Sequence, residues 1–345
     1  MIKNIENKNT TLIHGLSLLA EYILSFPGEL KEKMMEAYYK NNWFTVENQE
    51  IMLRAIANNY LRKEKLEAWI SNYEFRNVHA KKIGLVMAGN IPFVGFHDLL
   101  CVWMSGNIGL VKLSSKDEVL LPFLIQQLEN ISSVFVGKTI FIERLNDADA
   151  IIATGSNNSA RYFEYYFKNK PHIIRAGRSS VAVLTGNESS DEILALGKDI
   201  FRYFGLGCRN VSKFYLPDGF DPTTIYKGLE FYSDIIQHNK YKNNFDYNCT
   251  ILLMNKTPHF ANEFLILQEK QQITSRVATI HYEFYSSEKD LQEKLKSSEN
   301  EIQCIVGNPL QIEHNNFIPF GQSQEPTLND YADNIDTMKF LSGLD

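Results

Sequence analysis

The stretch KIGLVMAGNIPFVGFHDLLCVWMSGNIGLVKLSS, residues 82–115, decides the fold class. Residues 83–88 are a short apolar run ending in Gly89-Asn90. Residues 93–105 carry a helical pattern that stops at Gly106-Asn107, a glycine stop signal. Residues 108–113 are the next apolar run. A strand, a helix and a second strand in succession make a βαβ unit with parallel strands. The alternation continues: helix over 118–128, strands over 139–142 and 148–153, a helix from Thr154-Gly155-Ser156 through Lys168, then a strand over 181–184. The fold class is α/β with a mainly parallel sheet.

Upstream, the first eighty residues read as helices. Residues 11–26 are amphipathic, Pro27-Gly28 is a turn, and 29–39 is charged and helical. Thr45 precedes a long pattern with Ile51, Leu53, Ile56, Tyr60, Leu61, Leu66 and Trp69 at spacings near three and four. Downstream, Ile193, Leu196, Ile200, Phe201 and Phe204 mark a helix face closed by Gly205. Strands are expected at 211–216, 250–254, 278–284 and 303–306, with helices over 261–270 and 289–295. This is a second α/β unit. The expected division is 1–204 for the N-terminal helices and cofactor domain, 205–316 for a second domain, and 317–345 for a tail.

The chain has 345 residues, 44% hydrophobic and 22% charged, with a net charge of -6. That is ample for a real core and unlike a protein that holds nucleic acid by bulk charge. No apolar run reaches a membrane span, and residues 11–26 lack a basic flank and a cleavage site. Cys101, Cys208, Cys249 and Cys304 show neither CxxC nor Cys/His metal spacing. A cytoplasmic enzyme is expected, with no metal, no nucleic acid and no membrane span.

In an open parallel sheet, ligands bind beyond the carboxyl ends of the strands. Three segments are placed there: Gly89-Asn90-Ile91-Pro92, Lys112-Leu113-Ser114-Ser115 and Thr154-Gly155-Ser156. The last opens a helix, where backbone N–H groups receive a phosphate. Each alone reads as loop punctuation; three on one edge favour a nucleotide crevice. The segment Gly205-Leu206-Gly207-Cys208-Arg209-Asn210 fails GxGxxG, because position 210 is Asn and a helix precedes it. It suits a nucleophile loop better, with glycines for close approach and Arg209 to lower the thiol pKa. Cys101, Cys249 and Cys304 read as small buried apolar residues. His97 and Asp98 are placed to bond the first turn of their helix; His14, His172, His238, His259, His281 and His314 are scattered. Tyr162, Tyr165 and Tyr166 read as packing.

The order strand–Gly-Asn-x-Pro, strand–Lys-x-Ser, Thr-Gly-Ser–helix, Gly-x-x-Cys–strand resembles the aldehyde dehydrogenase superfamily. Within it, the chain is most similar to the acyl-CoA reductase branch that includes the fatty acid reductase of bacterial bioluminescence. The likeness runs from about residue 82 to 216. The closing stretch Phe320-Gly321-Gln322-Ser323-Gln324-Glu325-Pro326, with Asp330-Tyr331-Ala332-Asp333, is similar to the tail of that branch.

The resemblance implies a Rossmann-type cofactor domain and a smaller α/β catalytic domain. It implies Cys208 as nucleophile and Asn90 as the side-chain donor of an oxyanion hole, with the Cys208 backbone N–H as second donor. It implies Lys112 at the adenosine ribose, with Ser114 and Ser115 beside it, and Gly155 and Ser156 at the pyrophosphate. Gln272 corresponds to the glutamate that holds the nicotinamide ribose. Three positions depart from the pattern. Ala160 replaces a glycine, Ser115 replaces an acidic residue, and the Glu-Leu-Gly-Gly motif of hydrolytic members falls on Arg175-Ala176-Gly177-Arg178. The implied activity is reduction of an acyl-CoA or acyl-protein thioester to the aldehyde with NADPH or NADH, in a homodimer. Ser115 removes a carboxylate that would repel a 2′-phosphate, which favours NADPH, unless Asp117 or Glu118 takes over. Arg175 cannot act as a base, and Arg175 and Arg178 are expected either to attract phosphates or to face solvent. The alternatives are an inert binding or scaffold protein of the same fold, or a cysteine acyltransferase.

Overall fold

A computed structural model describes residues 2–74, 79–308 and 317–344; His314 lies outside them. The chain forms two compact units, Met1–Gly177 with Pro326–Asp345, and Arg178–Glu325.

In the first unit, α1 (Ile2–Ser25) buries Leu12, Leu16, Leu19 and Ile23, spaced by four, three and four. Next come α2 (Gly28–Lys40) and α3 (Val46–Ala55), the latter capped by Thr45, whose hydroxyl accepts from Asn48 N. The long pattern expected after Thr45 is divided: a π-helical turn, Ile56–Tyr60, precedes α4 (Lys63–Ile70). Then follow β1 (Lys82–Val86), α5 (Phe96–Met104), β2 (Ile108–Lys112), α6 (Leu120–Ile131), β3 (Thr139–Phe141), β4 (Ala150–Thr154), α7 (Asn157–Phe167) and β5 (His172–Arg175). All five strands are parallel, in the order β3-β2-β1-β4-β5. Both faces of the sheet are covered, which explains its apolar strands. On β4, Ala150 and Ile152 enter the core with α1, α5 and α6, while Ile151 and Ala153 face Phe163 and Phe167 of α7.

The second unit runs β6 (Ser179–Val183), α8 (Ser190–Phe201), β7 (Val211–Pro217), α9 (Ile225–Leu229), α10 (Asn239–Met254), β8 (Phe260–Ala261), β9 (Ile266–Glu269), β10 (Thr279–Tyr285), α11 (Glu288–Ser297), β11 (Ile302–Val306) and β12 (Phe317–Ile318). The order is β12-β11-β6-β7-β10-β9-β8, parallel except for β8 against β9. The last helix, α12 (Thr337–Ser342), belongs to the first unit.

The units part at 177/178, not at 204/205, because β6 pairs with β7 and β11 and not with β5. The tail is divided too: β12 pairs with β11, so residues 317–325 stay with the second unit. Two expected elements exchange type. Residues 250–254 end α10, with Leu253 and Met254 exposed. Residues 261–270 form a hairpin, because the Asn262 side chain accepts from Phe264 N at 3.0 Å and Leu265 N at 2.7 Å and reverses the chain. Tyr162, Tyr165 and Tyr166 do not pack within their unit; they are 66, 70 and 72% exposed.

Candidate active site

Strand order fixes where the first unit can bind a ligand. The chain passes from β1 to β2 and β3, then crosses to the other side of β1 for β4. That reversal is a switch point, and the loops after β1, β2 and β4 share its carboxyl edge. They carry Asn90, Lys112, Ser115 and Ser156, all exposed, with Ser114 half-buried. A Cβ on Gly89 would lie 2.5 Å from Ser114 Oγ, so the first two loops touch at a glycine. A Cβ on Gly155 would lie 2.8 Å from the Ser159 Cβ, so this glycine lets β4 meet the first turn of α7. Ser156 caps α7, accepting from Ser159 N at 3.3 Å. Ala160 is buried in that turn. A phosphate-sized anion suits this exposed helix N-terminus, with Lys112 two strands away on the same edge.

The loop after β1 is held from below. Phe93 adopts φ +60°, and its N–H donates to Asp117 Oδ2 at 2.8 Å. Asp117 is therefore not a stand-in for the missing acidic residue at Ser115. Glu118 is 3.1 Å from Lys40 Nζ.

Arg175 overturns the expectation attached to it. It is buried at 2% exposure and neither binds phosphate nor faces solvent. Nη1 donates to Asp98 Oδ2 at 2.6 Å and Nη2 to Thr337 Oγ1 at 2.9 Å. Burial works against its charge, but Asp98 more than offsets this and raises its pKa. Asp98 thus serves Arg175 rather than its own helix turn, and His97 Nε2 lies 3.0 Å from Leu328 O.

The second unit carries the thiol. After α8, Tyr203, Phe204 and Gly205 take φ of 52, 58 and 75°. Two consecutive non-glycine residues in this region are strained, and such strain concentrates at functional segments. Phe204 is held by stacking on His238, ring centroids 4.2 Å apart. Asn210 then ties the loop down. Its Nδ2 donates to Asp199 O, Ile200 O and Arg202 O at 3.0, 3.3 and 2.9 Å, and its Oδ1 accepts from Gly207 N at 2.8 Å. The residue that breaks the dinucleotide fingerprint is the clamp for the carbonyls left open at the end of α8.

Cys208 sits on this loop and is exposed. Ser180 Oγ bonds its carbonyl at 3.1 Å and lies 2.9 Å from Cys304 Sγ. Arg209 Nε donates to Ser323 O at 2.7 Å. Asp199, buried, accepts from Gly321 N, Ser323 N and Ser323 Oγ at 2.6, 2.9 and 2.7 Å. The Phe320–Gln324 motif is thereby anchored beside the cysteine loop. Burial raises the pKa of the other three thiols: Cys304 to about 11, Cys101 well above its ordinary value, and Cys249 upward.

Gln272 is exposed on the β9–β10 connection, and its carbonyl accepts from His281 Nδ1 at 2.8 Å. Burial lowers His281 to about 4, so it is neutral. Arg178 Nη1 reaches Ile302 O at 3.5 Å. Of the expected site residues, Asn90, Lys112, Ser114, Ser115, Gly155 and Ser156 share one edge of the first unit, while Cys208 and Gln272 belong to the second. Among the described residues no group of three or more His, Cys, Asp or Glu is placed to hold a metal ion, and no helix is long and apolar enough to cross a membrane.

The fold is that of aldehyde dehydrogenases. Aldehyde dehydrogenase 21 from Physcomitrella patens, solved with its reaction product succinate, matches with TM-score 0.69 at 11% identity, over 96% of this chain and 83% of that one. The NAD+ complex of a Bacillus cereus aldehyde dehydrogenase matches with TM-score 0.60 at 13% identity, over 83% and 69%. Propionaldehyde dehydrogenase from the Clostridium phytofermentans fucose utilisation bacterial microcompartment matches with TM-score 0.59 at 11% identity, over 87% and 77%. Among curated proteins none matches. The family described as acyl-CoA reductase (LuxC) matches residues 4–225, well over half of the chain. The chain belongs to the acyl-CoA reductase (LuxC) family.

Proposed function

We propose that this protein reduces an acyl thioester to the aldehyde with a nicotinamide cofactor, through an acyl-enzyme on Cys208. The observation that carries the reading is that Cys208 is the one exposed thiol of four, on a strained, clamped loop, while burial keeps Cys101, Cys249 and Cys304 protonated. A thiolate is the reactive form.

The Cys208 thiolate attacks the thioester carbonyl, the bond to the CoA sulfur breaks, and CoA thiolate leaves. Asn90 and the Cys208 backbone N–H stabilise the oxyanion. The reduced cofactor supplies the hydride that turns the acyl-enzyme into aldehyde and regenerates the thiolate. Lys112, Ser114 and Ser115 hold the adenosine ribose, and Gly155 with Ser156 at the start of α7 receives the pyrophosphate. The tight approach at Gly155 and the exposed cap at Ser156 fit that role. Gln272 meets the nicotinamide ribose. NADPH is preferred, because Ser115 carries no charge and both nearby carboxylates are engaged, Asp117 by Phe93 N and Glu118 by Lys40.

Incubation with acyl-CoA, with and without reduced cofactor, tests the reading. CoA release coupled to cofactor oxidation, both lost in Cys208→Ala with cofactor binding kept, is expected. Aldehyde formation by Cys208→Ala would sink the assignment. CoA release without cofactor oxidation would make the protein a transferase, and no CoA release would make it a scaffold.

A further inference from the structure

We propose that Asp117 is a positioning residue: through Phe93 it fixes the loop that presents Asn90, and its ionised form is the working one. The proposal rests on the reading of Asn90 as an oxyanion donor. It starts from five linked contacts in the first unit. Phe93, three residues after Asn90, is buried with φ +60°, a backbone state that bulky residues rarely adopt. Its N–H donates to Asp117 Oδ2 at 2.8 Å. Asp117 is oriented by a turn in which Asp117 N donates to Ser114 O at 2.9 Å and Lys116 N to Ser114 Oγ at 3.3 Å. Ser114 in turn abuts Gly89, the residue before Asn90. The far side is fixed by α2, where Asn41 Nδ2 donates to Lys116 O at 3.2 Å. The loops after β1 and β2 are thus locked at two points on either side of Asn90.

The Asp117 carboxyl is built for one bond. It is 8% exposed, and Oδ1 is buried without a hydrogen-bond partner. The charged groups facing its cleft are Lys40 on α2 and Lys116 and Glu118 on its own segment; Lys40 is drawn to Glu118 at 3.1 Å and Glu36 at 3.9 Å. Burial pushes the Asp117 carboxyl up to about 6, opposed by the Phe93 N–H. A charge-assisted bond is stronger than a neutral one. Acidification through this range therefore weakens the hold on Phe93 and loosens the loop.

The test compares wild type with Asp117→Asn and Asp117→Ala. The amide keeps an acceptor for Phe93 N–H without titrating; alanine removes it. Losing an oxyanion donor outright costs about 10²–10³ in rate, and misplacing one is expected to cost about tenfold or more in kcat for Asp117→Ala, with KM for acyl-CoA near wild type. Asp117→Asn offers only a neutral acceptor, like protonated Asp117, so its kcat should lie between wild type and Asp117→Ala, near that of acidified wild type, and should lack the acid limb near pH 6 that wild type shows. A second readout needs no activity: amide hydrogen exchange over residues 89–95. Exchange should speed up in Asp117→Ala and in acidified wild type, not in acidified Asp117→Asn. Unchanged exchange in Asp117→Ala, or an acid limb retained in Asp117→Asn, would overturn the proposal. Faster exchange in a protein that forms no acyl adduct on Cys208 would uphold the loop lock while removing the reductase reading.

Discussion

Arg175 and Asp98 form an ion pair of 2.6 Å between the end of β5 and the first turn of α5, and Thr337 at the start of α12 completes it. Both charges are out of water, with side-chain exposures of 2 and 11%. The pair closes the first unit by joining an edge strand, a buried helix and the last helix of the chain. Removing one charge strands the other. Arg175→Met should destabilise the first unit by about 3–5 kcal/mol, the usual effect of breaking a buried pair. All three tryptophans, Trp43, Trp69 and Trp103, lie in this unit, so their fluorescence during denaturant unfolding reads it directly. A loss below about 0.5 kcal/mol, the scale of a surface substitution, would show that the pair contributes nothing.

The same arginine bears on water. Activating water against an acyl-enzyme takes a base, usually a carboxylate in this superfamily's hydrolytic members. The matching position holds a protonated guanidinium committed to Asp98. Without reduced cofactor, the acyl group on Cys208 should therefore persist. Intact-protein mass spectrometry after mixing with acyl-CoA should show one adduct, absent in Cys208→Ala. Rapid conversion to free acid with no adduct would mean that another group, such as Glu269, activates water.

Cofactor choice should follow one side chain. Ser115 is exposed after β2, near Lys112, and no carboxylate of its own segment is free to replace an acidic residue there. Ser115→Glu adds a charge that repels a 2′-phosphate but bonds ribose hydroxyls. Titration should show weaker NADPH binding with NADH unchanged or tighter. Tenfold tighter binding of NADH than NADPH by the wild-type protein would contradict this account.

What the sequence disclosed divides along a physical line. Buried parallel strands are continuous apolar runs, so β1, β2, β4, β6 and β7 were legible, and with them the edge carrying Asn90, Lys112 and Ser156. The edge strand β5 was not, since His172 and Arg175 interrupt its apolar pattern. Residues 250–254 form an apolar run too short to tell a strand from a helix end, and α10 is set by its start at His238. The supporting polar residues were the least legible. Asp98 and Arg175 are 77 positions apart and Asp117 lies 24 beyond Phe93, so no local pattern joins them. Asn210 left one signal: it stood where the glycine of a fingerprint was wanted, and the structure shows the side chain that the position needs instead.

The Asp117 lock carries a signature in stability with a sign opposite to that in activity. Burial disfavours its charge and pushes the carboxyl up to about 6 in the fold, against 3.8 ordinarily. Between those values the folded chain binds more protons than the unfolded chain, so this group's contribution is fully present below pH 4 and is lost as pH rises through 6. At 1.36 kcal/mol per unit, the loss is on the order of 3 kcal/mol. Asp117→Asn does not titrate, so subtracting its unfolding curve from the wild-type curve cancels every other ionisation. The difference should grow against wild type from pH 4 to 7 and level off above. Over the same interval wild-type kcat should rise. A buried carboxylate that weakens the fold while its charge sharpens turnover is retained for its hold on Phe93, not for stability. Parallel pH–stability curves for the two proteins would show that Asp117 titrates normally and that the lock is not electrostatic.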